Sequence, residues 1–183
     1  MKAFLPSLRL LAVLTILTGI LYPLAVWATG QLFFSRAANG SLVTRGGITV
    51  GSALLAQKTT DARYFAPRPS AGDYATVASG ASNLARTNAK LSAAVTERRT
   101  NWGGGEVPAD LLTASGSGLD PELSPEAVQW QTARVAAARQ LNAAQRPALD
   151  ELIARNTEGG HLSPRRVNLL RLNLALDTAF PPP

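Results

Sequence analysis

The chain has no cysteine and one histidine among its 183 residues. The first absence excludes disulfides and thiolate metal sites, and leaves the redox state of the compartment open. The second removes most nucleophilic and metal chemistry. His161 lies in a Gly-containing stretch just ahead of Ser163-Pro164, and it cannot assemble a zinc site alone. Aromatic residues are sparse at 6%, and no basic run occurs although Lys and Arg outnumber Asp and Glu by 18 to 12. A nucleic-acid surface needs clustered cations interleaved with stacking aromatics, so no nucleic-acid partner is expected. The net charge of +6 fits a domain near a membrane surface.

Long apolar runs are missing too, with one exception. Residues 10–26 (LLAVLTILTGILYPLAV) are almost wholly apolar, and no charge occurs from 10 to 35. A bilayer core of about 30 Å needs roughly 20 such residues as a helix. A secretory signal peptide competes with this reading. Lys2 and Arg9 would form its positive front, and Val26-Trp27-Ala28 offers small residues near a cleavage point. The apolar part of a signal usually ends after roughly 7–15 residues. Here apolarity continues through Trp27, Leu32, Phe33 and Phe34. Tyr22 and Trp27 suit the membrane interface, and Gly19 and Pro23 are tolerated in a membrane helix packed on neighbours.

The reading is an uncleaved anchor: a cytoplasmic terminus at 1–9, the span with its interface at 10–34, and an extracytoplasmic domain at 35–183. Arg36 and Arg45 behind the span weaken the charge bias set by Lys2 and Arg9. Long downstream domains translocate largely regardless of charge, which favours N-in, C-out.

The rest of the chain can build one core. Residues 36–82 are rich in Gly, Pro, Ser and Ala, with short apolar pieces at 48–50 and 64–65 that read as strands. Thr87 or Asn88 caps a helix running to about Asn101, stopped by Gly103-Gly104-Gly105. Residues 107–113 read as a strand. Ser124-Pro125-Glu126 opens a helix with Val128, Val135, Ala138 and Leu141 on one face: Ser caps, Pro sits where its missing N–H costs nothing, and Glu meets the positive end of the dipole. A second helix spans about 147–156 and buries Leu149, Leu152 and Ile153, and Ser163-Pro164 signals a third with Val167, Leu170 and Leu174 on one side, although Leu172, Leu174 and Leu176 also alternate like a strand. The fold class is α+β: a single N-terminal transmembrane helix followed by one small extracytoplasmic mixed α/β domain.

Candidate chemistry is thin. Gly116-Ser117-Gly118 lacks nucleophile-elbow spacing. Asp110, Asp120, Glu151 and Glu158 have no spacing that specifies a glycosidase pair. Residues 113–121, with Ser115 and Ser117 at the centre, could cradle an anion through backbone N–H groups, but lack the Gly-Lys-Ser/Thr ending of a Walker loop. Asn39-Gly40-Ser41 matches a glycosylation acceptor, a pattern with a high chance rate.

An ordered set of short matches carries more weight. It begins with Thr18-Gly19, Tyr22-Pro23 and Gly30-Gln31 in the span. Gly51-Ser52-Ala53-Leu54, Tyr64-Phe65, Ser82-Asn83-Leu84 and Thr87-Asn88 follow. Val107-Pro108-Ala109-Asp110-Leu111 and Thr113-Ala114-Ser115-Gly116-Ser117-Gly118-Leu119-Asp120-Pro121 form the long central block. Gln131, Arg134-Val135-Ala136, Arg166-Val167-Asn168 and Leu172-Asn173-Leu174-Ala175-Leu176-Asp177 close the series. Together these resemble the C subunit of the bacterial Kdp potassium-transporting ATPase, over nearly the whole chain. Departures are a shortened loop between Gly159 and Arg166, and Arg171 where the family often has glutamate.

The resemblance implies a non-catalytic subunit of an ATP-driven potassium importer in the bacterial inner membrane. Its partners would be a channel-like potassium-binding subunit, a P-type ATPase subunit and a very small membrane subunit. It also implies a catalytic-chaperone role that raises the ATP affinity of the ATPase subunit. Gln131, with Ser115 and Ser117, is the weak nucleotide candidate; ATP would be met only within the complex, and no cofactor is expected to bind firmly. Leu10, Thr18, Gly19, Tyr22, Pro23 and Gly30 would serve the span and its packing on other subunits. Asn83, Asn88, Asp110, Ser115, Gly116, Asp120, Arg134, Asn168 and Asn173 complete the matched set. A domain outside the membrane cannot touch cytoplasmic ATP, so clamping the potassium-binding subunit suits the topology better. The alternative is an anchored binding module or hydrolase acting on cell-wall material.

Overall fold

The computed structural model describes residues 3–182, so Lys2 of the expected n-region lies outside it. The chain divides into two compact units, Met1–Leu42 and Val43–Pro183. The first is dominated by one helix of 30 residues, Phe4–Phe33, long and apolar enough to cross a membrane. At 1.5 Å per residue it is about 45 Å long, more than a bilayer core requires. It begins at Phe4, ahead of the bound at residue 10 expected for the span.

That helix consists of α1 (Phe4–Ile16), a π-type turn (Leu17–Leu21) and α2 (Tyr22–Phe33). The turn has a local cause. Pro23 has no N–H, and its ring crowds the carbonyl four residues back, at Gly19. A widened turn just before it, in which Tyr22 N–H reaches Leu17 O, accommodates the ring. Thr18 Oγ1 donates to Leu14 O at 2.7 Å, keeping its hydroxyl satisfied without water. The helix ends at Phe34, after which the single turn α3 (Ser35–Ala38) is tied by Asn39 Nδ2 donating to Gln31 Oε1 at 3.0 Å and to Ser35 O at 2.7 Å.

From the last residue of the first unit onward, β1 (Leu42–Arg45) and β2 (Ile48–Ser52) form a hairpin. Gly46 and Gly47 connect the strands with φ of 57° and 80°, the positive pair that a two-residue type I′ turn requires. Further along come α4 (Ala89–Asn101), α5 (Ala109–Leu112), β3 (Glu122–Leu123), α6 (Pro125–Ala138), α7 (Arg146–Arg155), β4 (Thr157–Glu158), β5 (Arg166–Asn168) and α8 (Leu169–Ala179). The last three strands form an antiparallel sheet ordered β3-β5-β4, with Leu123 and Thr157 both opposite Val167. Phe65, Leu111, Leu123, Val128, Leu149, Val167, Leu172 and Leu176 meet in one core.

The mixed α/β class is as expected, and so is the Ser124 cap, which accepts from Ala127 N; of Thr87 and Asn88 it is Asn88 that caps α4, accepting from Lys90 N. Four local expectations are corrected. Residues 107–113 are not a strand; Ala109–Leu112 makes one helical turn that buries Leu111 and Leu112, and a short apolar run does not distinguish the two. The last helix does not start at Ser163-Pro164. Residues 166–168 pair as the central strand, and Asn168 caps α8 by accepting from Arg171 N. Its buried side is therefore Leu169, Leu172 and Leu176 rather than Leu170 and Leu174. Tyr64 and Phe65 form no strand.

Candidate functional site

Residues 62–66 insert Phe65 into the core without a β ladder, so their backbone polar groups need other partners. Side chains supply them. Arg134 on α6 donates through Nη1 to Ala62 O at 2.7 Å and through Nη2 to Tyr64 O at 3.0 Å. Arg139, just past α6, donates from Nε to Arg63 O at 2.8 Å. Asn173 on α8 brackets Phe65, accepting its N–H at 2.9 Å and donating to its carbonyl at 3.0 Å. Gln131 does the same for Ala66, at 2.7 and 3.0 Å. Every carbonyl from 62 to 66 thus meets a side-chain donor, and the two amides stand in for the missing neighbouring strand. Phe65, fully buried between them, plugs the core.

Gln131 is 0% exposed. Its Oε1 also accepts from Arg134 Nη2 at 2.8 Å, and its Nε2 also donates to Ala127 O at 3.4 Å. All four amide positions are engaged within the protein.

Charge closes one end of this cradle. The Arg139 side chain is 0% exposed and its Nη2 meets Asp177 Oδ1 at 2.6 Å. Arg45 Nη1 reaches Asp177 Oδ2 at 2.6 Å, and Tyr64 Oη donates to the same oxygen at 3.2 Å. Burial would push the Asp177 carboxyl up, but hydrogen bonds from Arg139 and Arg45 hold it below the usual carboxylate range. The Arg139 guanidinium also lies over the Tyr64 ring, 4.8 Å from its centroid. Burial pulls Arg134 below the ordinary arginine value, opposed by nearby Asp61. Asp61 is itself lowered to about 2 by the hydrogen bonds it accepts from Arg63.

A second cluster forms around the Ser/Gly loop. Ser117 Oγ accepts Leu119 N–H at 3.1 Å and Ser115 Oγ accepts Asp120 N–H at 3.4 Å. Ser117 O accepts Gly80 N–H at 2.8 Å and Ser79 Oγ at 2.9 Å. Gly118 has φ of 68°, and a Cβ there would lie 2.7 Å from Gly80 O, so this close approach requires glycine. Gly116 faces open space. Asp110 and Asp120 flank Arg68 Nη1 at 3.6 and 3.5 Å, and accept Ser124 N–H and Glu122 N–H at 2.9 and 3.0 Å. The loop's serines thus bond its own backbone.

About half of the sequence-derived residues fall into these two clusters. Gln131, Arg134 and Asn173 share the cradle; Ser115, Gly116, Asp110 and Asp120 share the loop cluster. Asn168 caps α8 and donates to Ala53 O at 2.7 Å. Asn88 caps α4, and Asn83 takes a left-handed backbone at φ 53°. In the long helix, Leu10 and Tyr22 are exposed, Pro23 follows the π turn, and Gly19 has only Thr15 Cγ2, at 4.0 Å, near where a Cβ would stand. Gly30 instead faces Ala38 Cβ, 3.6 Å from where a Cβ would stand.

Sequence reasoning missed Arg45, Arg139 and Asp177 as a unit. One signal was available: Gln131, Arg134 and Arg139 recur at helical spacing within an apolar face. Arg171 pairs with Glu158 at 3.0 Å on the surface.

Two clefts flank residues 59–61. One of about 420 Å³ has Phe65, Leu169 and Leu174 in its floor and Arg45 and Lys58 at its edge. The other, about 450 Å³, lies between this segment and α4. Among the described residues no group of three or more His, Cys, Asp or Glu side chains could hold a metal ion.

Together these features define a class: an α+β domain preceded by one helix fit to span a membrane, with its polar motif residues bonded to its own backbone. The comparisons give the family. Residues 4–178 match the model of KdpC, the K+-transporting ATPase c chain. The chain is 50% identical to the potassium-transporting ATPase KdpC subunit of Rhodospirillum rubrum, covering 96% of this chain and 95% of that one. It is 48% identical to the KdpC subunits of Pseudomonas syringae pv. tomato and of Mycobacterium bovis BCG, covering 94% and 96% of this chain and 91% and 98% of theirs. The chain belongs to the KdpC family and is a subunit of a K+-transporting ATPase.

Proposed function

We propose that this chain acts as a non-catalytic assembly subunit of the Kdp complex. The helix anchors it in the bacterial inner membrane with the N-terminus cytoplasmic. The domain at 35–183 lies on the periplasmic side, docks on the channel-like potassium-binding subunit, and holds it with the P-type ATPase subunit and the small membrane subunit. The observation that carries this reading is the use of the matched polar residues. Gln131, Arg134, Asn173 and Asp110 hold backbone in place, and among the described residues no group of His, Cys, Asp or Glu fit for a metal ion lies beside them. A docking subunit needs a rigid shape and a complementary surface, and no reactive group.

In this reading the chaperone effect on ATP affinity passes through subunit contacts. Gln131 contributes by fixing Ala66 and touches no nucleotide. The test is purification of the complex through a tag on the potassium-binding subunit, with and without this chain, paired with potassium-limited growth. Loss of the assembled complex and of growth on deletion is expected. A stable, transport-competent complex without the chain would overturn the reading. Protease added to spheroplasts should cut the domain from outside; protection there would reverse the orientation.

A further inference from the structure

Between Pro67 and Val107, both buried, the chain makes an excursion in which no residue from 68 to 106 is buried. It includes α4, which has no buried residue of its own. The excursion returns against the body across the 450 Å³ cleft. Arg98, Asn101 and Trp102 form its outer wall, and Thr60, Asp61 and Arg134 lie on the body side.

The charges lining this cleft do not balance. Arg98 Nη1 donates to Leu112 O at 2.8 Å, and the Arg134 bonds go to two carbonyls and the Gln131 amide. Among the described residues neither arginine has an ion-pair partner within 4.0 Å. Asp61, the carboxylate in the lining, is held by Arg63 through contacts of 2.7–3.1 Å. Arg134 Nε is buried without a hydrogen bond, and the Arg134 guanidinium lies 5.5 Å from the Trp102 ring centroid. Two guanidinium groups, an indole and an open mouth present a surface complementary to a carboxylate on an aliphatic stem.

We propose that this cleft is the docking site for an extended, acidic segment of the partner subunit, whose Asp or Glu pairs with Arg98 while its stem lies on Trp102. The inference rests on the docking reading above and gives that reading a location. It also accounts for the excursion, since ordered chain that packs on the core only through the partly buried Val95 and Trp102 gains by covering a partner.

The test uses the full complex purified through the potassium-binding subunit, with retention of this chain measured at low and high salt. Asn101 lines the cleft and is exposed at the end of α4, so its charge can be changed without disturbing the core. Asn101→Glu should lower retention about tenfold, as a like charge facing an acidic segment does. Asn101→Lys should retain the chain at least as well as the wild type. Arg98→Glu should resemble Asn101→Glu, and Lys90→Glu, in the first turn of the same helix and outside the cleft, should change nothing. Thermal unfolding of each variant separates lost docking from lost fold; if Arg98→Glu unfolds, the Asn101 pair decides. Wild-type retention of Asn101→Glu, or equal loss of both Asn101 variants, overturns this inference alone. Failure of the wild-type chain to be retained overturns the docking reading and this one with it.

Discussion

Residues 62–66 and 68–106 are near neighbours in the chain and are ordered by different means. The first stretch buries Phe65 and has each carbonyl bonded to a side chain from α6, α8 or Arg139. The second has no fully buried residue, packs on the core only through the partly buried Val95 and Trp102, and is otherwise attached by caps, turns and bonds such as Arg98 to Leu112 O. Neither has extensive secondary structure to explain it apart from α4. The body's order is internal. The excursion has few internal reasons to hold one shape, which is the usual condition of a segment that meets a partner.

The contrast can be broken most forcefully at Asp177. Asp177→Ala leaves the Arg139 guanidinium, 0% exposed, without its carboxylate, and should cost about 4 kcal/mol in unfolding free energy. The acid limb of stability sharpens this point. The folded Asp177 carboxyl is held below its ordinary value, so its contribution is complete above about pH 4 and is lost as pH falls through the depressed value. A stability–pH profile should fall on the acid side in the wild type and flatten there in Asp177→Ala.

Leu172→Ala opens a cavity in the core, where Leu172 is 0% exposed, and should cost about 3 kcal/mol by denaturant titration. Gln131→Met keeps the volume but leaves Ala66 N–H and C=O unpaired, for about 2 kcal/mol. That variant should lower the thermal midpoint of the isolated chain, which a residue reserved for nucleotide contact would not do. At the small end, Asn88→Ala removes the α4 cap at a cost of about 1 kcal/mol. Its effect should appear as faster amide exchange within α4 while the global midpoint hardly moves.

What the sequence disclosed follows the range of the interactions involved. The α6 start at Ser124-Pro125-Glu126 is written within four residues, and local sequence narrows the α4 cap to Thr87 or Asn88, of which the structure uses Asn88. The apolar helix was equally plain, although its π turn was not anticipated despite Pro23. The strand expected at 107–113 failed because two adjacent leucines bury equally well in one helical turn. The 166–168 strand was overlooked because its identity depends on pairing with residues 122–123 and 157–158. The cradle was the least legible feature. Gln131 and Asn173 could be picked out, but their partners lie 65 and 108 residues away in the chain, and nothing local says that an amide will bracket a peptide unit. From the sequence Gln131 reads as a nucleotide candidate; in the structure its amide bonds Ala66, Ala127 and Arg134.

The measurement that bears most directly on the contrast is amide hydrogen exchange on the full-length chain, alone in detergent and within the purified complex. Residues 62–66 and α6 should exchange slowly in both samples. The excursion at 68–106 should exchange rapidly in the isolated chain and become protected in the complex, most strongly in the last turn of α4 beside the cleft. Equal protection of 68–106 in both samples would contradict the account.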